Sequence, residues 1–468
     1  MERSDPLNAE NKLGVMPVNK LIWNMSLPII ASMLVQALYN IVDSIFVSQI
    51  SEQALTAVSL AFPAQQLIIS LASGTAVGIN ALLGHALGAG NRKRANDVAC
   101  NGLFLAVASA IVCCVLVVLF SNTFFSAQTK VSEIIDMGKD YLYIVGCCCV
   151  GVFIQITFER ILQGTGRSVL SMITQGTGAI INIILDPVFI FVFDLGVAGA
   201  AWATVIGQLC GALLAVFLNH KYNKDIHLNF RGFRPNGHII KSIYAIGIPS
   251  VIMMAIGSVM TFLMNKILIT YHEAKETAAT AFGIYFKLNS FIFMPVFGLN
   301  NGSVSILAYN YGARKRQRMS ECVKRVCIYA LCIMTAGTII FQTMPHTLLR
   351  LFDATETMLA VGTPALRIIS LSFPVAAICI ALGGAFQATG KSVYSMIVSF
   401  VRQLIFLIPA AFVLALIGQR VGNSDLVWWS YPIAEVVSLA ISLLCYSRLN
   451  RRLLSKLPLD GAASEENA

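Results

Sequence analysis

The sequence predicts an all-α polytopic membrane protein, with twelve transmembrane helices arranged as two parallel repeats of six. Three observations carry this prediction. Charged residues are scarce, apolar residues come in long runs, and landmarks of one half recur in the other. Of the 468 residues, 57% are hydrophobic and 12% charged, about half the charged share of soluble proteins. The segments 98–120 and 168–185 contain no charged residue at all. Such runs span a bilayer, because about 20 residues rising ~1.5 Å each cross a ~30 Å hydrocarbon core.

Twelve spans follow from this pattern: 21–47, 54–83, 98–120, 137–158, 168–193, 197–219, 239–270, 277–308, 322–343, 358–387, 392–418 and 426–449. They divide the chain into an N-tail (1–20), a first lobe (21–219), a linker (220–238), a second lobe (239–449) and a C-tail (450–468). The polar stretch before the first span has neither a short hydrophobic segment nor a cleavage site, so no removable signal peptide is expected.

Orientation follows from the 33 Lys and Arg residues. With both termini on the inner side, 24 of them fall inside, five fall outside and four lie within spans. That asymmetry is the positive-inside pattern, and it places both termini in the cytoplasm. The net charge of +10 then reflects topology and contact with anionic membrane lipid. No nucleic-acid partner is expected, since no DNA-reading motif accompanies the basic loops. All twelve Cys residues sit in spans or at their inner ends, so they read as small buried hydrophobes rather than a disulfide framework. None of the six His residues lies deep in a span, which argues against an intramembrane His–metal centre.

The internal repeat is explicit. LQGTGRSVLSMI (162–173) and FQATGKSVYSMI (386–397) agree at eight of twelve positions, 224 residues apart. SLPIIASM and GIPSVIMM place Pro28 and Pro249 at an offset of 221, and LGAGNRKRAND and NYGARKRQRMS repeat at about 223. A six-helix unit has therefore been duplicated. Six is even, so both copies enter the membrane in the same sense, as parallel repeats. The ATGKS fragment is not a phosphate-binding loop. Five positions before Gly390 stands Ala385, and five before Gly166 stands Ile161, where that motif needs Gly. The repeated stretch reads instead as a tight inner turn. Gly166 and Gly390 reverse the chain, Arg167 and Lys391 mark the cytoplasmic face, and the Ser after each is expected to cap the next helix.

Features present in only one half are the candidates for function. Gln36, Tyr39, Asn40 and Asp43 are spaced i, i+3, i+4, i+7 and form one polar stripe on the first span. Asn182 and Asp186 share a face of the fifth, and Pro187 is expected to kink that helix. Thr204 adds a hydroxyl on the sixth. The second half has Met264 and Ala410 where the first has its two Asp residues. It carries Lys266, Lys287, Arg367, Arg402 and Glu435 instead, for which intramembrane pairing and a transport role are equal expectations. A carboxylate at mid-membrane depth costs roughly 2.5–3.5 kcal/mol, so two in one half call for a purpose. Asp43, Asn182, Asp186 and Thr204 are expected to form an ion-responsive site. Their hard oxygens suit Na⁺, and carboxylates taken out of water also accept a proton; the residues leave Na⁺ and H⁺ both open.

At these residues the chain resembles the multidrug and toxic compound extrusion (MATE) transporters, particularly their prokaryotic DinF-like branch. The resemblance runs from about residue 20 to 449 and rests on SLPIIASMLVQALYNIVDSIFVSQI, GAGNRKRAND, LQGTGRSVLSMI, NIILDPVFIF and GVAGAAWATVIGQ in that order. It implies two six-helix lobes around a central cavity, and export of cationic lipophilic compounds in exchange for Na⁺ or H⁺. It also implies that Asp43, Asn182, Asp186 and Thr204 couple the ion, with Tyr39 and Asn40 nearby. Another branch of the family places acids in the first and fourth helices of the second lobe. Here the seventh span has none, and the tenth has none after Glu356.

Without a nucleotide-binding domain in the sequence, the expected energy source is an ion gradient and the expected cofactor is none. One charge crossing 100 mV is worth about 2.3 kcal/mol, against about 2.7 kcal/mol for a hundredfold solute gradient. The expected mechanism is alternating access of the two lobes about a flexible linker, in a bacterial cytoplasmic membrane, with Gln36, Tyr39 and Asn40 lining the substrate cavity. A monomer suffices, because parallel repeats supply both gates in one chain. The nearer alternative is a flippase for lipid-linked sugars or precursors, which the four cations of the second half would favour. An enzyme is not expected, as the sequence has no HExxH, no GxSxG and no His cluster.

Overall fold

The computed structural model describes residues 11–458 apart from 230, 232 and 353. The expected N-tail residues 1–10 and C-tail residues 459–468 lie outside the described set. Among the described residues the chain is helical, without strands. Ten helices are long and apolar enough to cross a membrane, and two bent pairs bring the number to twelve.

The spans are Val18–Ser48, Gln53–Gly88, Arg92–Ser126, Ser132–Cys147 with Val150–Gly164, Ser168–Val192 and Gly196–Tyr222, then Gly237–Tyr271, Thr277–Gly312, Arg316–Thr343, Glu356–Ser370 with Phe373–Ala388, Ser392–Val421 and Ser424–Arg452. Each overlaps one expected span, and all but the fifth and eleventh, which start at the expected residues 168 and 392, extend further at the inner end, where the helices continue beyond the hydrocarbon. The fourth and tenth spans, equivalent by the repeat, bend by 45° and 50°. In the tenth, Pro374 sits in the first turn of the second piece, so it cannot donate back across the break.

Two compact units emerge: Met1–Val251 with Ser305–Arg314, and Ile252–Val304 with Lys315–Ala468. In the first unit, Phe125, Tyr141 and Phe153 are almost fully buried among small residues such as Ala61 and Ala106. The third span turns Ile111, Val115, Leu119 and Phe120 outward, 50–64% exposed; such a face is stable against lipid and not against water. Inside this unit Asn80 and Ser305 hydrogen-bond each other reciprocally, at 3.1 and 3.2 Å, and the Asn310 amide donates to the Leu13 carbonyl at 3.0 Å. In the second unit, Phe341 and Phe373 pack edge to face at 5.3 Å, and Trp428 is fully buried.

The duplicated dodecamer folds the same way twice. Gly166 (φ +84°) and Gly390 (φ +76°) are left-handed. The amide of Arg167 reaches the Leu162 carbonyl at 2.7 Å, and that of Lys391 reaches Phe386 at 2.8 Å. Those are the long bonds of a Schellman turn, which closes orphan carbonyls at a helix end. The expected caps are corrected, since neither Ser168 nor Ser392 caps the following helix. Ser168 Oγ donates instead to the Asn24 carbonyl at 3.2 Å, because the inner end of the first span lies against this turn.

The turn after the second span also repeats, with one substitution. Gly90 is left-handed (φ +70°), and its counterpart in the second copy is Arg314 (φ +57°). A side chain in that conformation costs roughly 1–2 kcal/mol. Arg314 is exposed, so Arg314→Gly is expected to stabilise the protein by about 1 kcal/mol, read as a higher unfolding midpoint in detergent. An unchanged or lower midpoint contradicts the assignment of strain there.

The linker expected to be a flexible tether is fastened to the first unit where it is described. Ile226 is 3% exposed and joins the core around Val98 and Ala215. The His227 amide donates to Asn96 Oδ1 at 2.9 Å, and the Asn236 amide to Asn101 Oδ1 at 2.8 Å.

Candidate functional site

The site residues of the first unit come together because two helices approach through glycines. On the fifth and sixth spans Gly178 and Gly207 face each other. A Cβ on Gly207 would stand 2.7 Å from the Gly178 carbonyl oxygen, and one on Gly178 would stand 3.0 Å from that of Gly207. Small residues at such a crossing let two backbones approach closely. One turn along each helix, Asn182 then reaches Thr204, and its Nδ2 donates to Thr204 Oγ1 and to Asp186 Oδ1, both at 3.4 Å.

All three are buried, with Asn182 at 3%, Thr204 at 5% and Asp186 at 0% exposure. The fifth span ends its α-helical run at Pro187, and a π-helical turn, Val188–Val192, follows. The expected kink is therefore a change of helix type directly after Asp186, a feature that commonly marks functional positions. Asp43 on the first span interacts electrostatically with Asp186, Tyr39 and Tyr141. Asp43 Oδ1, Asn182 Oδ1 and Asp186 Oδ2 are buried without a hydrogen-bond partner. Buried polar atoms nearly always have partners, so three orphaned oxygens in one neighbourhood form an oxygen-only donor set short of a cation or a proton. With Thr204 Oγ1 they are hard ligands of the kind that suit Na⁺.

The rest of the predicted stripe divides. Gln36 Oε1 accepts from Gln175 Nε2 at 2.7 Å, which ties the first span to the fifth. Tyr39 stays beside Asp43, while Asn40 is exposed and the structure does not bring it to the buried cluster. Sequence reasoning missed Glu159. It is 7% exposed and accepts at Oε1 from Gln155 Nε2 (3.0 Å) and Thr174 Oγ1 (3.2 Å). The i, i+4 pair Gln155 and Glu159 was legible, but the expected fourth span stopped one residue short of it.

In the second unit, Met264 is fully buried where the first half has Asp43. Arg402 donates from Nη1 to Glu435 Oε1 at 2.8 Å, so these two charges form an intramembrane pair. Lys266, Lys287 and Arg367 are exposed. Removing one partner of a buried pair typically costs 3–5 kcal/mol, whereas replacing both with apolar groups is often neutral. Arg402→Leu is accordingly expected to lower folded yield sharply and Arg402→Leu/Glu435→Leu to restore it, measured by size-exclusion chromatography. Equal losses in the two variants contradict the pairing.

The sequence pattern of the MatE family matches residues 28–188 and 249–413, one stretch in each half. Multidrug export protein MepA of Staphylococcus aureus (strain N315) is 27% identical over 432 residues, covering 92% of this chain and 94% of the relative. The protein of the same name from Staphylococcus haemolyticus (strain JCSC1435) is 26% identical over 442 residues, covering 94% and 96%. Among solved structures, an outward-facing multidrug resistance MATE family transporter of the MOP superfamily superposes with a TM-score of 0.90 at 23% identity, covering 97% of this chain and 100% of that one. A MOP superfamily transporter from Pyrococcus furiosus, described as having a binding pocket of reversed polarity, superposes with a TM-score of 0.88 at 23% identity over the same shares.

Proposed function

The chain belongs to the MatE family of membrane transporters, and on that premise we propose that it is a secondary active antiporter of the bacterial cytoplasmic membrane. It exports cationic lipophilic compounds in exchange for H⁺ or Na⁺. The observation that carries this reading is the first unit's cluster of two carboxylates, an amide and a hydroxyl, with three buried oxygens lacking partners. A charged Asp43–Asp186 pair attracts a cationic compound, with Gln36 and Tyr39 offering polar contacts beside it. An incoming ion at Asp186, Asn182 and Thr204 neutralises the same carboxylates, so ion and compound compete for one charge. Alternating access of the two halves turns that competition into exchange. If one cation is exchanged for one monovalent cationic compound, no net charge crosses, and the ion's concentration gradient is then the driving force.

The relatives named as multidrug exporters support the substrate class. The flippase alternative draws less support, since Arg402 is already paired with Glu435 and the other three cations of the second half are exposed. The test is efflux of a fluorescent cationic dye from proteoliposomes under an imposed Na⁺ or H⁺ gradient. Dye movement under one gradient identifies the coupling ion. No movement under either, in correctly inserted protein, overturns the antiport reading in favour of lipid-linked anionic substrates.

A further inference from the structure

Just before the first span the chain makes a one-turn helix, Lys12–Val15, and caps it locally, with Asn11 Oδ1 accepting from the Leu13 amide at 3.1 Å. Met16 is then extended, as a residue before proline tends to be, and the first span starts afresh after Pro17. The turn is therefore a separate piece and not an extension of the span. We propose that it is the inner latch of the transport cycle. It holds the inner end of the eighth span against the first half of the chain, and lets go before a compound enters from the cytoplasm. The inference rests on the antiport reading above.

The contacts that carry it are all formed. Asn11 Nδ2 donates to the Thr165 carbonyl at 3.2 Å and to Asp225 Oδ2 at 3.4 Å, which fastens the piece to the turn between the fourth and fifth spans and to the docked linker. Gly166 makes room for it, since a Cβ there would stand 3.0 Å from Lys12 Cε and 3.4 Å from Leu13 Cγ. Leu13 is 0% exposed. Its carbonyl accepts from Asn310 Nδ2 at 3.0 Å, and the same nitrogen donates to the Ile306 carbonyl of its own helix at 2.8 Å. Asn310 belongs to the second repeat but packs within the first unit. One turn thus joins two elements of the first repeat and the linker to the second.

Asn310 is also a feature of one copy. The repeat offsets of 223 and 224 align it with Leu87 and Ala86, whose side chains cannot make this bond. Inner access requires the end of the eighth span to leave its partners, so the strength of the latch sets how much of the protein is open to the inside. A compound that binds only the inner-open state has its apparent affinity reduced by the fraction of protein in that state. Weakening the latch therefore lowers KM for a cytoplasmic compound. A turn that merely supports the fold, once damaged, lowers the rate at every concentration instead.

The test compares full-length wild type, Leu13→Ala and Asn310→Leu, each variant serving should the other fail to fold. Uptake of a fluorescent cationic dye into everted vesicles is measured against dye concentration under an imposed ion gradient, and hydrogen–deuterium exchange is followed at the amides of 305–312. The variants are expected to lower KM about three- to tenfold with kcat less affected. They are also expected to exchange faster at 305–312, while the outer end of the seventh span keeps wild-type rates. An unchanged KM, a fall in kcat alone, wild-type exchange at 305–312, or loss of both folded variants overturns the latch. If wild type itself moves no dye under either gradient, the antiport reading has failed and the latch falls with it. Intact wild-type uptake marks any other failure as the latch's own.

Discussion

Asp186→Asn is expected to abolish ion-driven dye efflux while leaving the protein inserted and folded. Asp186 is fully buried, has one oxygen without a partner, and shares Asn182 with Thr204. Asn keeps the side chain's shape and the hydrogen bond to Asn182, but removes the only charge at that position. If the carboxylate is the group for which ion and dye compete, its loss removes the coupling, on the order of the 5–150-fold by which linked sites alter each other. A similar loss of exchange is expected of Asp43→Asn. Thr204→Ala gives a smaller one, because it removes a neutral ligand and leaves both charges. Efflux rates in proteoliposomes, normalised to inserted protein, provide the check. Wild-type rates in both Asn variants would place coupling elsewhere, with Glu159 the next residue to substitute.

Gly88→Val is expected to prevent the first unit from forming. At this crossing Gly84 and Gly88 on the second span meet Ala308 and Gly312 on the eighth. A Cβ on Gly88 would collide with the Tyr309 carbonyl oxygen, and one on Gly312 with the backbone of His85. Overpacking normally costs about 1–3 kcal/mol. Here the obstacle is backbone in two helices, so the cost is expected at or above the top of that range. The measured result is loss of monodisperse protein after extraction. Gly176→Val, at a position where nothing lies within 4 Å of a new Cβ, keeps wild-type yield. Equal yields of the two variants contradict the close-crossing account.

The spans were legible because hydropathy and the positive-inside count act over about 20 residues and tolerate local error. The inner turns were legible because a left-handed Gly following Thr or Ala, as at Gly166, Gly390 and Gly90, is a local matter. The bends in the fourth and tenth spans were not read. Cys147–Val150 holds no Pro or Gly and lies between Gly146 and Gly151 in an apolar run, and Pro374, which did signal the second bend, also sits inside an apolar run. Asp43, Asn182, Asp186 and Thr204 stood out because carboxylates and amides are costly at depth. Their convergence, in contrast, depends on Gly178 meeting Gly207, a pairing between helices that no spacing along the chain reveals. The Arg402–Glu435 bond and the docking of the linker are likewise tertiary. Ser168 looked like a cap by position, and its hydroxyl was drawn away by a carbonyl of the first span.

The central claim is that ion and compound compete for the carboxylates of the first unit. Its most direct test is the equilibrium affinity of purified protein for a fluorescent cationic dye, measured across a series of Na⁺ concentrations and of pH values. Linkage requires that an ion weakening dye binding is itself weakened by dye to the same factor. The account predicts that one of the two ions lowers dye affinity in wild type, and that Asp43→Asn and Asp186→Asn each bind dye independently of it. Dye affinity indifferent to both ions in wild type, or equally ion-sensitive in the two variants, would contradict it.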